Sequence, residues 1–238
     1  NHAMYKSCLF LTAGSVEKQT GTTDLNKLGG IAGKMPVTFT CFFIAAAAIS
    51  GVPPFNGFFS KELVFDGALT SGKIFYIVAL AGAFFTAASF LKLGHAAFLG
   101  KPSKDTGPVK EASWAILVPM IVIASGCILF GVYNPLPLKG LIQPILGSRP
   151  EGHDFSGLPH NWNLAFISVF VLLLALFNHF YGVSRTKKGI GAVDHIHYAL
   201  GLHQIYAMAG KGYFDPYNIG MFLVNVFAKV LWTIDRAI

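Results

Sequence analysis

Apolar residues run almost unbroken through 1–16, 36–50, 74–99, 112–133 and 163–183, and the second run resumes after a short interruption to reach 69. About 20 apolar residues cross a bilayer core, so these runs predict membrane helices. The third, KIFYIVALAGAFFTAASFLKLGHAAFLG, ends at Gly100. The fourth carries Pro119 in its interior, which a membrane bundle tolerates when neighbours satisfy the freed carbonyl. The fifth, NLAFISVFVLLLALFNHFYGV, is the cleanest span in the chain.

The interruption in the second run reads GVPPFNGFFSKE, residues 51–62. Pro53 and Pro54 donate no backbone hydrogen bond, and Gly51 and Gly57 permit unusual dihedrals, so a helix break is predicted here. Such a break frees carbonyls at membrane depth, which is tolerated only inside protein or beside a water-filled cavity. A simpler reading also stands: a helix ends at Gly51, and 52–62 is a loop.

The pattern predicts a helix bundle over 1–133, a Pro- and Gly-rich outer loop over 134–162, and a further transmembrane helix over 163–183. An amphipathic extension follows over 184–238. Within it Asn218, Asn225, Lys229 and Arg236 share one face, against Phe222, Phe227, Val230, Leu231 and Ile234, as in a helix lying on a membrane surface or a partner. The expected fold is all-α: a polytopic transmembrane helix bundle with one discontinuous helix and a C-terminal amphipathic helix. The first run holds only about 16 residues and opens on Asn1, so the true beginning of the protein is expected to lie upstream.

Composition agrees with lipid as the main solvent: 53% of residues are hydrophobic and 12% charged, half the charged share of a soluble domain. The net charge of +7 is scattered through loops rather than gathered in one patch, which argues against nucleic acid. Loops 17–35, 101–111 and 184–192 hold Lys18, Lys27, Lys34, Lys101, Lys104, Lys110, Arg185, Lys187 and Lys188. The opposite loops hold only Lys73, Lys139 and Arg149. By the positive-inside rule the first set is expected to face the cytoplasm, across an inner (cytoplasmic) membrane. Cys8, Cys41 and Cys127 lack metal-ligand spacing and read as small buried hydrophobes. His195, His197 and His203 have no further ligand spacing around them, so no metal is expected.

Charges within the apolar runs are the candidate chemistry, because each is expensive in lipid unless it pairs, meets water or does work. Lys6, Lys61, Glu62, Asp66 and Lys92 are of this kind, joined by His2, His95 and His179. His2 and Lys6 are four apart and share a helix face, an arrangement suited to a proton relay; a lysine snorkelling to the interface is the other reading. Lys61 and Glu62 follow the break, where polar backbone supports charge, and transporters place ion sites at broken helices. Lys92 and His95, three apart near the end of the third run, fit either a cytoplasmic half-channel or end-of-helix snorkelling. His179 reads as interfacial.

Four segments resemble one family. HAMYKSCLFLTAGSV (2–16), GGIAGKMPVTFTCFFIAAAAISGVPPFNGFFSKE (29–62), TAASFLKLGHAAFLG (86–100) and KGYFDPYN (211–218) are similar to antiporter-like subunits of respiratory complex I, Mrp-type cation/proton antiporters and membrane-bound hydrogenases. The last segment resembles the distal, longest type of these subunits. The resemblance implies that Lys6 is the central-axis lysine and His2 the histidine one turn before it. It likewise implies that Lys61 is the lysine of the second broken helix, from which protons pass outward, with Glu62 where relatives often carry aspartate. The proton relay implied is His2, Lys6, Lys61, Glu62, Lys92 and His95, the last two standing where many relatives carry arginine. The family fold has two inverted five-helix repeats, of which this chain would supply the later part of the second.

The resemblance implies a proton-translocating subunit of a redox-driven respiratory or hydrogenase complex. Its partners would be other antiporter-like and small membrane subunits, a peripheral iron–sulfur redox module and the lipid bilayer. A gradient-driven Na+ or K+/H+ antiporter subunit is the alternative, and a structural membrane anchor a third. With no glycine-rich phosphate loop and no cysteine cluster, the chain is expected to bind no cofactor and to perform no redox chemistry itself.

Overall fold

A computed structural model describes residues 1–102, 108–146, 161–186 and 202–235. All regular structure among them is helical. Lys104, Arg149, Lys187, Lys188, His195, His197 and Arg236 lie outside the described residues, as do parts of the 101–111, 134–162 and 184–192 segments. The chain divides into two units, residues 1–193 and 194–238.

In the first unit, helix α1 spans His2–Thr20 and stops where Gly21 takes a left-handed conformation. Helix α2 spans Pro36–Ser50. Proline suits its first turn, where an N–H would have no helical partner. The next donors do find one: Val37 and Thr38 donate their backbone N–H groups to Glu111 Oε2 at 2.8 and 3.3 Å, and the Thr38 hydroxyl donates to Oε1 at 2.6 Å. Helix α3 spans Asn56–Ser71. Helix α4 runs Lys73–Gly94 and widens into one π-helical stretch, His95–Leu99. Helix α5, Trp114–Val132, contains Pro119. Short helical turns follow over Pro135–Leu146, and helix α6 spans Trp162–Thr186.

The interrupted run is therefore two helices separated by residues 51–55, a shorter gap than a loop over 52–62. Among the described residues three helical stretches are long and apolar enough to cross a membrane: Lys73–Leu99, Trp114–Val132 and Trp162–Ser184. Helix α2 is apolar but short, and α1 mixes its apolar run with Lys6, Glu17 and Lys18.

Helix α2 is the hub and packs on α1, α3, α4 and α5, while α6 packs on α4 and α3. Its Ala45–Ala48 run lets neighbours come close, the device that drives helix association where lipid removes the hydrophobic incentive. Cys8, Cys41 and Cys127 are all buried where α1, α2 and α5 meet, and none is in a disulfide. A second cluster joins Phe65, Ala83 and Val171. The outward faces stay apolar, with Ile77 on α4, Val122 on α5 and Phe170 on α6 each more than half exposed, as lipid-facing helices require.

In the loop after α1, the Asn26 backbone N–H and side-chain amide both donate to Asp24 Oδ1, holding that carboxyl below its usual range. In the second unit, helix α7 (Leu202–Gly210) turns into helix α8 (Pro216–Asp235), whose first turn is capped by Asp215 accepting the Tyr217 N–H at 2.9 Å. Asn218, Asn225 and Lys229 lie on α8 as predicted, on an amphipathic helix.

Candidate functional site

The break is built residue by residue. Gly51 ends α2 at φ 84°, ψ 35°, a conformation that L-residues adopt only at a cost. The next peptide of note, Pro53–Pro54, is cis. Phe55 is extended and leads into α3. The Gly51 and Val52 N–H groups bond back to Ala48 O and Ala47 O at 3.0 and 2.9 Å, so the last turn of α2 is partly closed.

The Ser50 carbonyl takes a different partner. Lys61 Nζ, one turn into α3, reaches back and donates to it at 2.8 Å. The lysine stem lies directly over Gly51: a Cβ there would come within 2.7 Å of Lys61 Cδ. Gly57 lets the first turn of α3 lie against the last turn of α2, since a Cβ at 57 would run into the Ala48 carbonyl. Asn56, fully buried, ties this junction to the start of α1. Its carbonyl accepts from Asn1 Nδ2 at 3.1 Å, and its own amide donates to Asn1 Oδ1 at 3.2 Å.

Around Lys61 opens a recess of about 550 Å³. Helix α1 contributes His2, Tyr5 and Lys6, α2 contributes Ile49, and α4 contributes Phe85, Thr86, Ser89 and Phe90. The His2 ring stands edge-on to Tyr5, with centroids 5.5 Å apart. Three basic side chains from two distant stretches of sequence thus border one partly polar space, with Thr86 and Ser89 on its wall. Such a space can hold water between groups that take up and release protons.

The other candidate residues lie elsewhere. Glu62 is 4% exposed and turns away from the recess; its Oε1 accepts the Asn161 N–H at 3.1 Å, at the start of α6. Lys92 and His95 are not among the recess-lining residues. His95, at the start of the π stretch, meets His179 of α6: His95 Nδ1 and His179 Nε2 are 3.1 Å apart. His179 is 4% exposed, so its ring is buried within the protein. No group of three or more metal-ligating side chains forms among the described residues.

Two roles escaped the sequence. Glu111 sits in a loop and caps a helix that begins 75 residues earlier in the chain, at Pro36, so no local spacing signals it. His179 gives only the signal of a lone imidazole in an apolar span, and its partner is 84 residues away.

Residues 1–86 match the family described as NADH:quinone oxidoreductase/Mrp antiporter, TM. The Na(+)/H(+) antiporter subunit A1 of Staphylococcus haemolyticus (strain JCSC1435) is 34% identical over 189 residues, 72% of this chain and 23% of that protein. The chain spans about a quarter of the length of the curated relatives it matches. Among solved structures, the Mrp complex from Dietzia sp. DQ12-45-1b aligns with a TM-score of 0.53 at 24% identity, over 58% of this chain and 34% of that one. The membrane-bound sulfane sulfur reductase, an archaeal respiratory membrane complex, aligns with a TM-score of 0.53 at 20% identity, over 98% of this chain and 46% of that one. Both share the fold.

Proposed function

We propose that this chain, which belongs to the antiporter-like membrane subunits of the NADH:quinone oxidoreductase/Mrp antiporter family, carries protons through the His2–Lys6–Lys61 recess of a cation/proton-exchanging membrane complex. One observation carries the reading: the helix break supplies a carbonyl for the Lys61 ammonium, on the edge of the space that Lys6 and His2 also border. The Ser50 carbonyl can accept from a charged or a neutral amine, so it holds Lys61 in place through a protonation cycle. Lys6 and Lys61 border the same space, so a proton passing through it moves by way of both amines.

The name of the similar staphylococcal protein favours Na+/H+ exchange as the driving mode. The family description favours a second reading, because it spans quinone-reducing complexes as well. In that case a peripheral iron–sulfur module would drive the same relay. In both, other membrane subunits complete the complex, and loops 17–35, 101–111 and 184–192 face the cytoplasm across the inner membrane.

The test uses everted membrane vesicles holding the whole complex, with a fluorescent reporter of internal acidification. Sodium-dependent collapse of a preformed pH gradient without an electron donor supports exchange; proton uptake only when a donor is supplied supports the redox mode. Lys61→Ala and Lys61→Arg each lower the rate at least tenfold at normal assembly. The arginine variant matters because a guanidinium keeps the charge but does not release its proton. Unchanged transport in both variants reduces the chain to an anchor.

A further inference from the structure

Two spaces follow one another between α1 and α4, and Phe90 borders both. The recess is the partly polar one. The other is a cavity of about 120 Å³, walled by Leu9 and Val16 of α1, Phe42 of α2, Leu93 of α4 and Leu28 of the loop after α1. Leu9 to Val16 covers roughly 10 Å at about 1.5 Å per residue, so the cavity runs along the helices rather than across them. Thr22, Thr23 and Leu25 border its loop end. The loop is fixed there: the Ala32 N–H donates to the Phe98 carbonyl at 3.1 Å, and the Lys101 carbonyl lies where a Cβ at Gly29 would stand.

Water is a poor tenant for this cavity, because it needs two to four polar partners. The Thr12 hydroxyl on the wall already donates to the Leu9 carbonyl at 2.7 Å, and the Thr22 hydroxyl oxygen already accepts the Asp24 N–H at 3.1 Å. An apolar cavity of about 150 Å³ stays dry and takes up hydrocarbon. We propose that this one holds a stretch of one acyl chain of a zwitterionic, amine-headed phospholipid, whose headgroup sits against loop 17–35. The headgroup follows from charges of both signs at the loop end. Glu17, exposed one turn beyond the lining Ala13, offers a carboxylate to the ammonium. Lys27, exposed between the lining Leu25 and Leu28, and Lys101 beside Gly29 offer cations to the phosphate. Lys18 falls about 140° from Ala13 around α1 and so on another side. An acidic headgroup would gain from the lysines but meet Glu17 and Asp24 as like charges, whereas a zwitterion suits both signs. The chain then packs on the Phe90 ring that also walls the recess. This goes beyond the proton-carrying reading and does not depend on it, since the same cavity would take lipid in a passive subunit.

The test uses the whole complex in nanodiscs containing a phosphatidylethanolamine with a photoactivatable diazirine midway along one chain. After photolysis, peptides covering 9–16 and 90–98 are expected to carry at least fivefold more label than the lipid-facing surfaces at Val122 and Phe170. Ala13 is exposed and lines the cavity, so Ala13→Phe can fill it with a ring. Each methylene moved into an apolar site favours binding about fourfold, so displacing even two lowers cavity label at least tenfold, with the label at Val122 unchanged. The glycerol-headed counterpart is expected to label the wild-type cavity at least fivefold less, and Glu17→Gln combined with Lys27→Gln brings the two lipids within twofold of each other. Cavity label no higher than that at Val122 overturns the proposal and leaves surface lipid only. Equal labelling by both lipids in wild type overturns the headgroup assignment. Absent label, together with cross-linking of Ala13→Cys to another segment of the complex, means that protein fills the cavity and the lipid reading is wrong. Should Ala13→Phe fail to assemble, the wild-type map decides by the same fivefold criterion.

Discussion

Replacing Gly51 with alanine adds one methyl group and tests the link between the helix break and Lys61. Two costs follow from the geometry. At φ 84° the new residue occupies the left-handed region, which costs an L-residue about 1–2 kcal/mol. The methyl would also stand 2.7 Å from Lys61 Cδ, well inside van der Waals contact, so the lysine stem must move. The contact it gives up is the 2.8 Å bond from Nζ to the Ser50 carbonyl. A hydrogen bond from a charged group contributes roughly 1.5–3 kcal/mol. Where that bond supports the step that limits turnover, its loss slows exchange about 10- to 100-fold, at about 1.4 kcal/mol per factor of ten.

The assay compares the rate of gradient collapse per assembled complex with the thermal melting of the purified complex. Gly57→Ala is the control. Its methyl would strike the Ala48 carbonyl rather than Lys61, so it lowers melting and yield while touching the lysine only through the backbone. Gly51→Ala is expected to lose rate out of proportion to its loss of stability; Gly57→Ala is expected to do the opposite. If Gly51→Ala exchanges ions within twofold of wild type per complex, Lys61 does not depend on the Ser50 carbonyl and the proposed role of the break is wrong.

Two further carboxylates separate structure from transport. Glu111→Ala removes the acceptor for the Val37 and Thr38 N–H groups and the Thr38 hydroxyl, so the complex melts lower by an amount on the order of 2 kcal/mol, the upper range for a lost helix cap. Unchanged melting there rules out the cap as a source of stability. Glu62→Gln keeps an oxygen for the Asn161 N–H and is expected to transport within twofold of wild type, while Glu62→Ala strands that donor and lowers melting by about 1–3 kcal/mol. If Glu62→Gln loses as much rate as Lys61→Ala, Glu62 carries protons and its tie to α6 is secondary.

How much of this was legible depended on whether the physics was local. The break was readable because Pro53, Pro54, Gly51 and Gly57 act through their own backbones, and the freed carbonyl followed from the same facts. The three long apolar helices were readable because length and apolarity are local quantities; α2 is too short by that measure, and α1, at 19 residues, is long enough but mixes its apolar run with Lys6, Glu17 and Lys18. The grouping of His2, Lys6 and Lys61 was not a matter of spacing at all. It came from likeness to a family, and the recess between α1, α3 and α4 is a product of packing that no single helix encodes.

Glu62 and His179 mark where the sequence falls silent, and for the same reason. On a helix, adjacent residues point about 100° apart, so Lys61 and Glu62 cannot both face one space. The sequence shows two neighbouring charges; only the arrival of α6 decides that one turns to the recess and the other to the Asn161 N–H. That same helix carries His179 to His95 near its other end. Helix α6 thus touches the charged chemistry twice, once through an acceptor that fixes its start and once through a ring that can hold a proton. A helix whose only task was to shield the bundle from lipid would need neither. Its polar contacts fall on α3 and α4, two of the helices that wall the recess, which is where a displacement of α6 would be felt by Lys61 and by Ser89 together.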